Sequence, residues 1–430
     1  MIDLNNTKNI YFIGIGGSGM SSIANMMLVK GKNVFGSDKE STLVTKELEE
    51  KRAHIFYTQI SENITPDIDL VIYTVAIPES NPELQKAKAL GIPLATYPQM
   101  LGILSKDMIT IGVSGTHGKT TTTAMMSHIL EDTEIAPTVI VGSVLSEQKT
   151  NFIEGKGEHL LVEADEYKKS FLNLNPTYLI ITNIDEDHLD FYKDLADIQN
   201  TFGELITRIP EHGYLVCNKT NEHIVPILEK AKCTIIDYAN NTALDITLSV
   251  PGIHNRQNAG AAYTLAKALG IPDEKIIEKL KTFKGVRRRF EYKGKTHTGA
   301  LIYDDYAHNP QKVAAALQGA KEAFPDKKII AVFQPHLFSR TKFLLKTFGT
   351  SFSNADQVLL AAIYAAREEF DPSISSEMLA EEIKKNDIPV ETFKSIDDIK
   401  EKLDQILKEG DVVVMLGAGD IIKLSEKLIV

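Results

Sequence analysis

The chain's strongest chemical signal is the run Ser114-Gly115-Thr116-His117-Gly118-Lys119-Thr120, which follows an apolar segment and opens a helical pattern. A run of this kind can hold a nucleoside triphosphate. Glycine at 118 lets the backbone approach a phosphate, the Lys119 ammonium reaches the β- and γ-phosphates, and the Thr120 hydroxyl can ligate Mg²⁺. The strict pattern asks for glycine where Val113 stands, and Gly112 lies just before it, so this is a variant phosphate loop. The expected ligands are ATP and Mg²⁺, with Gly115, Thr116, His117, Gly118, Lys119, Thr120 and Thr121 around the phosphates. Downstream, Leu161-Val162-Glu163-Ala164-Asp165-Glu166 ends a strand in an acid. Glu163 is then placed as an oxygen ligand for a hard cation. Asn183-Ile184-Asp185-Glu186-Asp187-His188 follows the next strand, and His188 is either a less usual metal ligand or a substrate contact.

A second glycine turn, Gly14-Ile15-Gly16-Gly17-Ser18-Gly19, also stands between a strand and a helix. It suits a diphosphate at a helix N-terminus, and Asp38, about 20 residues further on, suits a ribose hydroxyl. A nicotinamide dinucleotide and a UDP-sugar would need the same geometry, so this motif alone leaves both open. Three arginines, Arg287, Arg288 and Arg289, lie at an expected domain hinge, where they could meet ATP phosphates bidentately. Further on, Asp304-Asp305-Tyr306-Ala307-His308-Asn309-Pro310 and Gln334-Pro335-His336-Leu337-Phe338-Ser339-Arg340 each follow a strand and precede a helix. Loops in that position commonly build sites.

Positioning these groups requires short apolar strands alternating with helices, which the chain shows almost throughout. The expected class is α/β with mainly parallel sheets. The pattern is broken around residues 92–105 by Pro93, Pro98 and Gly102, and again by the polar run 292–298. These breaks divide the chain into three domains: 1–105 and 294–430, both Rossmann-like, and a central phosphate-loop domain at 106–293. A helix is expected over 258–269.

Composition narrows the setting. The chain's 430 residues are 43% apolar and 24% charged, enough for packed cores and unlike a disordered or fibrous chain. No apolar run approaches the roughly 18 residues of a membrane span, and no signal peptide is expected. With 47 basic and 58 acidic residues, a net charge of −11 argues against nucleic-acid or anionic-membrane binding. Cys217 and Cys233 carry no disulfide or metal pattern, which fits a cytoplasmic location.

The motifs GIGGSGM, GTHGKTTTT, EADEY, TNIDEDH, PGIHNRQNA, GVRRRF, DDYAHNP, QPHLFSRT and GDVVVMLGAGD stand in the order shown by the Mur ligases, and the chain resembles that family from residue 9 to residue 420. The resemblance implies an ATP-dependent ligase that joins L-alanine to the carboxylate of UDP-N-acetylmuramate through an acyl phosphate, in peptidoglycan precursor synthesis. It also implies roles residue by residue. Gly16, Ser18, Gly19, Met20 and Asp38 match the UDP-sugar end. Lys119, Thr120, Glu163 and His188 match the phosphate and metal positions, and Asn255 and Arg289 match ATP contacts. Asp305 and His308 sit where the third domain closes on ATP and the reaction centre, and Tyr306, His308 and Arg340 match the amino-acid end. Lys119, Glu163, His188, His308 and Arg340 are the expected catalytic set. Many relatives carry histidine where Asn309 stands and arginine where Leu337 stands. The alternatives are a ligase adding a preformed tripeptide to the same UDP-sugar, a nicotinamide-dependent dehydrogenase, which leaves the Lys119 loop unexplained, and a regulatory NTPase, which leaves the flanking domains unexplained.

Overall fold

A computed structural model of the chain describes residues 2–142, 145, 150–189, 191–239, 246–366 and 368–429. Its strands gather into three sheets. The first holds β1 (Asn9–Ile13), β2 (Asn33–Ser37), β3 (His54–Phe56), β4 (Leu70–Tyr73) and β5 (Leu94–Thr96), in the spatial order β3-β2-β1-β4-β5, all parallel. The second holds β6 (Ile109–Ser114), β7 (Thr138–Ile140), β8 (Phe152–Ile153), β9 (His159–Glu163), β10 (Tyr178–Ile181), β11 (Tyr214–Cys217) and β12 (Thr234–Asp237). Their order is β12-β11-β10-β6-β9-β7-β8, with β8 antiparallel. The third holds β13 (Glu291–Lys295), β14 (Leu301–Asp305), β15 (Ile329–Phe333), β16 (Gln357–Leu360), β17 (Val390–Thr392) and β18 (Val412–Leu416), in the order β13-β14-β18-β15-β16-β17.

The central strands read as nearly unbroken apolar runs because they are covered on both faces, as parallel sheets require. In β18 every residue of Val-Val-Val-Met-Leu is buried, and the last five residues of β6 are buried as well. Each sheet also has a central strand at which the direction of strand addition reverses, with strands laid down on both sides of it. β1 lies between β2 and β4, β6 between β10 and β9, and β18 between β14 and β15. Crevices open at the C-terminal ends of such strands. Among the described residues no helix is long and apolar enough to cross a membrane.

The chain divides into two compact units, residues 1–247 with 257–283, and residues 248–256 with 284–430. The first unit contains two sheets, and one hydrophobic core runs through both, joining Ile10, Phe12 and Ile23 to Leu160, Leu179 and Phe202. The expected break at 92–105 is therefore ordered structure. Thr96 caps the helix Tyr97–Lys106 in a reciprocal box with Gln99, and Pro98 occupies its first turn, where a missing N–H does no harm. The polar run 292–298, expected to be the other boundary, begins in an edge strand. β13 pairs antiparallel with β14, so residues 284–293 go with the third sheet. The helix expected over 258–269 begins earlier, at Ile253, and the unit boundary passes through it.

Candidate active site

In the first unit, β6 delivers the chain to the phosphate loop and the helix Lys119–Leu130 leaves it. Gly118 takes φ +85 at the helix start, and a Cβ there would run into the Asn258 carboxamide oxygen. The loop is clasped from the side by the segment after β10. Thr116 N–H donates to the Asn183 carbonyl at 3.1 Å and His117 N–H to Asn183 Oδ1 at 2.9 Å. Asn183 Nδ2 returns a bond to the His117 carbonyl at 3.0 Å, and Asp185 N–H donates to the Thr116 hydroxyl at 2.8 Å. Two amides expected to face ATP are thus spent inside the protein. The first turn of the helix still offers N–H groups with no intrahelical partner, together with its positive dipole end.

Lys119 does not stand open to solvent. Its ammonium donates to Glu166 Oε2 at 2.7 Å and Oε1 at 2.9 Å, and to the Gly115 carbonyl at 2.7 Å. The Lys119 side chain is 16% exposed and that of Glu166 3%. Burial alone would pull Lys119 down, but the Glu166, Asp165 and Glu163 carboxylates more than offset it and hold the ammonium above its usual value. Glu166 lies above the ordinary carboxylate range because of burial, with Lys119 pulling the other way. Glu166 was missed in the sequence, where Glu163 drew attention as the residue ending β9. Glu163 pairs in register with Val113 of β6, at the same sheet end as the loop. His188 adopts a left-handed φ of +55, its Nε2 lies 3.9 Å from Glu166 Oε1, and its ring lies 4.7 Å from that of Tyr167. Thr120 and Thr121 are buried in the first turn of the helix. Among the described residues no three His, Cys, Asp or Glu side chains gather as a metal cluster.

The first glycine turn lies in the same unit, at the end of β1. Gly16 N–H donates to Asp38 Oδ2 at 2.7 Å, so the carboxylate expected at a ribose caps the turn. The end of β2 beneath Asp38 is fixed by a buried carboxylate, since Glu83 accepts from Ser37 Oγ at 2.6 Å and from the Tyr11 hydroxyl at 2.7 Å. Ser18 opens the helix Ser18–Val29, and its carbonyl accepts from Asn151 Nδ2 at 2.6 Å. The Met20 side chain is in the core. Gly19 is required by a close approach, for a Cβ there would lie 2.5 Å from Cζ of Tyr97. Burial pushes the Tyr97 phenol up, and the Glu163 and Asp165 carboxylates add to the shift. Tyr97 thus packs against the first glycine turn, another residue with no motif to announce it.

The second unit carries the remaining candidates at the C-terminal ends of β14, β15 and β18. Asp305 accepts from Phe290 N–H and Ala307 N–H, both at 2.8 Å, which fixes the arginine segment against β14. Arg288 and Arg289 lie over the Tyr306 ring, with guanidinium carbons 4.9 and 5.7 Å from its centroid. His308 Nδ1–H donates to the Tyr306 carbonyl at 2.8 Å, and burial with Lys312 and Arg340 holds the imidazole well below its usual range, hence neutral. Arg340 Nη1 lies 3.3 Å from His336 Nδ1, and His336 stacks on Tyr364. Asn309 caps the helix Pro310–Ala323 through the Lys312 N–H, a structural use for the side chain at this departure from the family pattern. Leu337, the other departure, takes φ +72 at the head of the helix Phe338–Phe343. A non-glycine residue held there stores about 1–3 kcal/mol, a strain that concentrates at functional sites. Asn255 sits in the first turn of the helix Ile253–Ala268, its Nδ2 donating to the Pro251 carbonyl at 2.6 Å. Asn255, Arg289, Asp305, Tyr306, His308 and Arg340 therefore belong to one unit, and the two glycine turns, Glu163 and His188 to the other.

Asp304, beside this group, gives a pH signature. It is fully buried against Arg288 Nε at 3.0 Å, and burial pushes its carboxyl up to about 6 while Arg288 opposes. The folded state then binds this proton more tightly than the unfolded chain, whose value is about 3.9, so the contribution of Asp304 to stability falls as pH rises through that window. Relative to Asp304→Asn, the wild-type melting temperature should gain as pH is lowered from 7 to 4 and stay level above 7. A gain in the opposite direction would contradict the assignment.

Models of three Mur ligase segments match the chain: the Mur ligase family catalytic domain at residues 9–108, the middle domain at 113–247, and the glutamate ligase domain at 288–419. The chain is 43% identical over 451 residues to a UDP-N-acetylmuramate–L-alanine ligase of Clostridium kluyveri, covering 99% of this chain and 98% of that one. It is 41% identical to the protein of the same name from Clostridium novyi, covering 98% and 97%. Among solved structures, the UDP-N-acetylmuramate-alanine ligase MurC of Thermotoga maritima superposes with a TM-score of 0.82 at 29% identity, covering 98% of each chain. A murein peptide ligase of Psychrobacter arcticus shares the fold, with a TM-score of 0.70 at 22% identity and 98% coverage of each chain. With its phosphate loop, its acid-ended β9 and its three sheets matched along nearly the whole length, this chain belongs to the Mur ligase family.

Proposed function

We propose that the protein joins L-alanine to the muramoyl carboxylate of UDP-N-acetylmuramate at the expense of ATP, supplying a peptidoglycan precursor. The observation that carries this reading is a buried lysine at the head of a helix after β6, beside an acid-ended strand, in a chain so similar to L-alanine ligases. The first sheet would take the UDP-sugar at the Gly16–Gly19 turn and the second would take ATP. The third would bring Arg340 to the amino-acid carboxylate, with Tyr306 and His308 beside it. A cytoplasmic setting goes with this reading, since ATP is the co-substrate and Cys217 and Cys233 are both free.

A carboxylate is a poor electrophile because its leaving group would be oxide. Transfer of the γ-phosphoryl group to a carboxylate oxygen releases ADP and leaves an acyl phosphate. The neutral amine of alanine attacks the carbonyl carbon, loses a proton, and phosphate departs with the C–O bond electrons. Lys119 would neutralise charge on the moving phosphoryl group, and positioning with charge neutralisation is most of what phosphoryl transfer demands. Keeping water out of the site would protect the acyl phosphate from hydrolysis. The Thr120 hydroxyl and the Glu163 carboxylate are hard oxygen donors that would hold Mg²⁺, and the ion would supply further charge neutralisation. Glu163→Gln should accordingly shift the Mg²⁺ titration of activity to higher concentration, because a neutral amide is the poorer ligand. An unchanged titration would remove Glu163 from the metal site.

Arg340 can grip one α-carboxylate bidentately, whereas a tripeptide needs a longer groove with several anchors. One methyl group is worth only about 1–3 kcal/mol in such a pocket. Initial rates of ADP release with UDP-N-acetylmuramate and a panel of acceptors should rank L-alanine first, with measurable turnover of glycine and L-serine. A higher kcat/KM for the tripeptide L-alanyl-γ-D-glutamyl-meso-diaminopimelate would overturn the assignment of the acceptor.

A further inference from the structure

We propose that Glu166 is a positioning residue that occupies the phosphate-loop lysine in the absence of nucleotide, so that ATP binds by displacing a carboxylate already in place. The idea rests on the ATP reading given above and deepens it. Both oxygens of Glu166 lie within 2.9 Å of Lys119 Nζ, and the Gly115 carbonyl takes a further donor at 2.7 Å. An ammonium has three donors, so this arrangement satisfies the lysine where a phosphate would otherwise do so. Glu166 is itself built in. Its carbonyl accepts from the Tyr192 hydroxyl and from Lys169 N–H, and the carboxylate faces His188. Lys168 and Lys169 both adopt left-handed backbone just after it, at φ +50 and +57, an unusual pair for non-glycine residues.

Two consequences follow from charge. A nucleotide must break or share a buried ion pair to reach Lys119, which weakens its binding. Glu166 also presents a negative charge close to the polyphosphate, and like charges brought together are costly. The same feature favours turnover, because ADP leaves as Lys119 returns to Glu166. Neutralising the side chain should therefore tighten nucleotide binding while slowing release, which a merely structural defect would not do.

The test is direct binding of ATP and ADP to the full chain, as wild type, Glu166→Gln and Glu166→Asp, together with steady-state kinetics. Glu166→Gln should bind both nucleotides on the order of tenfold tighter and lower the KM for ATP and kcat together. Glu166→Asp, which keeps the charge but draws it away from Lys119, should fall between Gln and wild type. If the Gln variant does not fold, tighter binding by the Asp variant carries the same conclusion. Unchanged or weaker binding by a folded variant would overturn the role of Glu166 and leave the ATP site standing. A wild-type chain that binds neither nucleotide would overturn both.

Discussion

Lys119→Ala should lower ligation by about 10²–10³-fold, the usual effect of removing one donor aimed at developing charge. The site explains why the loss should fall on chemistry and nucleotide binding. Lys119 is the first residue of the helix after β6, where helix dipole and ammonium would act on the same phosphates. UDP-N-acetylmuramate should still bind nearly normally, since its expected contacts are at the Gly16–Gly19 turn. The variant leaves Glu166 buried without its cation, and removing one partner of a buried pair commonly costs about 3–5 kcal/mol. A melting curve and a UDP-sugar binding isotherm therefore accompany the rate measurement. Lys119→Arg should not restore activity, because a planar guanidinium does not replace a compact ammonium in this enclosure. Near wild-type turnover in Lys119→Ala would mean that the loop does not handle the transferred phosphoryl group.

The second large effect is expected at Gly118. A side chain there meets two penalties, a backbone at φ +85 and a collision with the Asn258 carboxamide. Left-handed backbone alone costs an alanine about 1–2 kcal/mol. The collision must be relieved by moving the loop or the helix Ile253–Ala268, and displacement of a positioning group by about 1 Å can cost on the order of 10²-fold in rate. Gly118→Ala should lose roughly that much in kcat/KM for ATP. Gly31→Ala is the matched control, since Gly31 takes φ +70 with nothing within 4 Å of a Cβ. It should be mildly destabilised and fully active. Equal activities for the two variants would show that Gly118 does not set the geometry of the phosphate site.

What could be read in the sequence was local. The two glycine turns, Lys119 and the acid at the end of β9 are each defined by neighbours within a few residues, and a strand followed by glycine and a helix leaves few geometric choices. The residues that hold them come from distant segments. Asn183 clasps the phosphate loop from 66 residues away, and Tyr97 reaches Gly19 from another helix. Glu166 carried a signal, the second glutamate of EADE, but its partner could not be inferred until the loop and β9 lay side by side. Domain boundaries are hard to read from sequence for a different reason. Proline and glycine punctuate both linkers and well-capped helices, and Pro98 turned out to serve the second purpose. The polar edge strand β13 has one unpaired edge and few buried side chains, so its composition resembled a linker.

Activation of the muramoyl carboxylate by phosphorylation would transfer one of its oxygens to phosphate. UDP-N-acetylmuramate carrying ¹⁸O in its lactyl carboxylate is converted with ATP and L-alanine, and the released phosphate and the product are analysed by mass spectrometry. One labelled oxygen per turnover should appear in inorganic phosphate, with the other retained in the new amide carbonyl. Unlabelled phosphate alongside ligated product would contradict the acyl phosphate and, with it, the role given to Lys119.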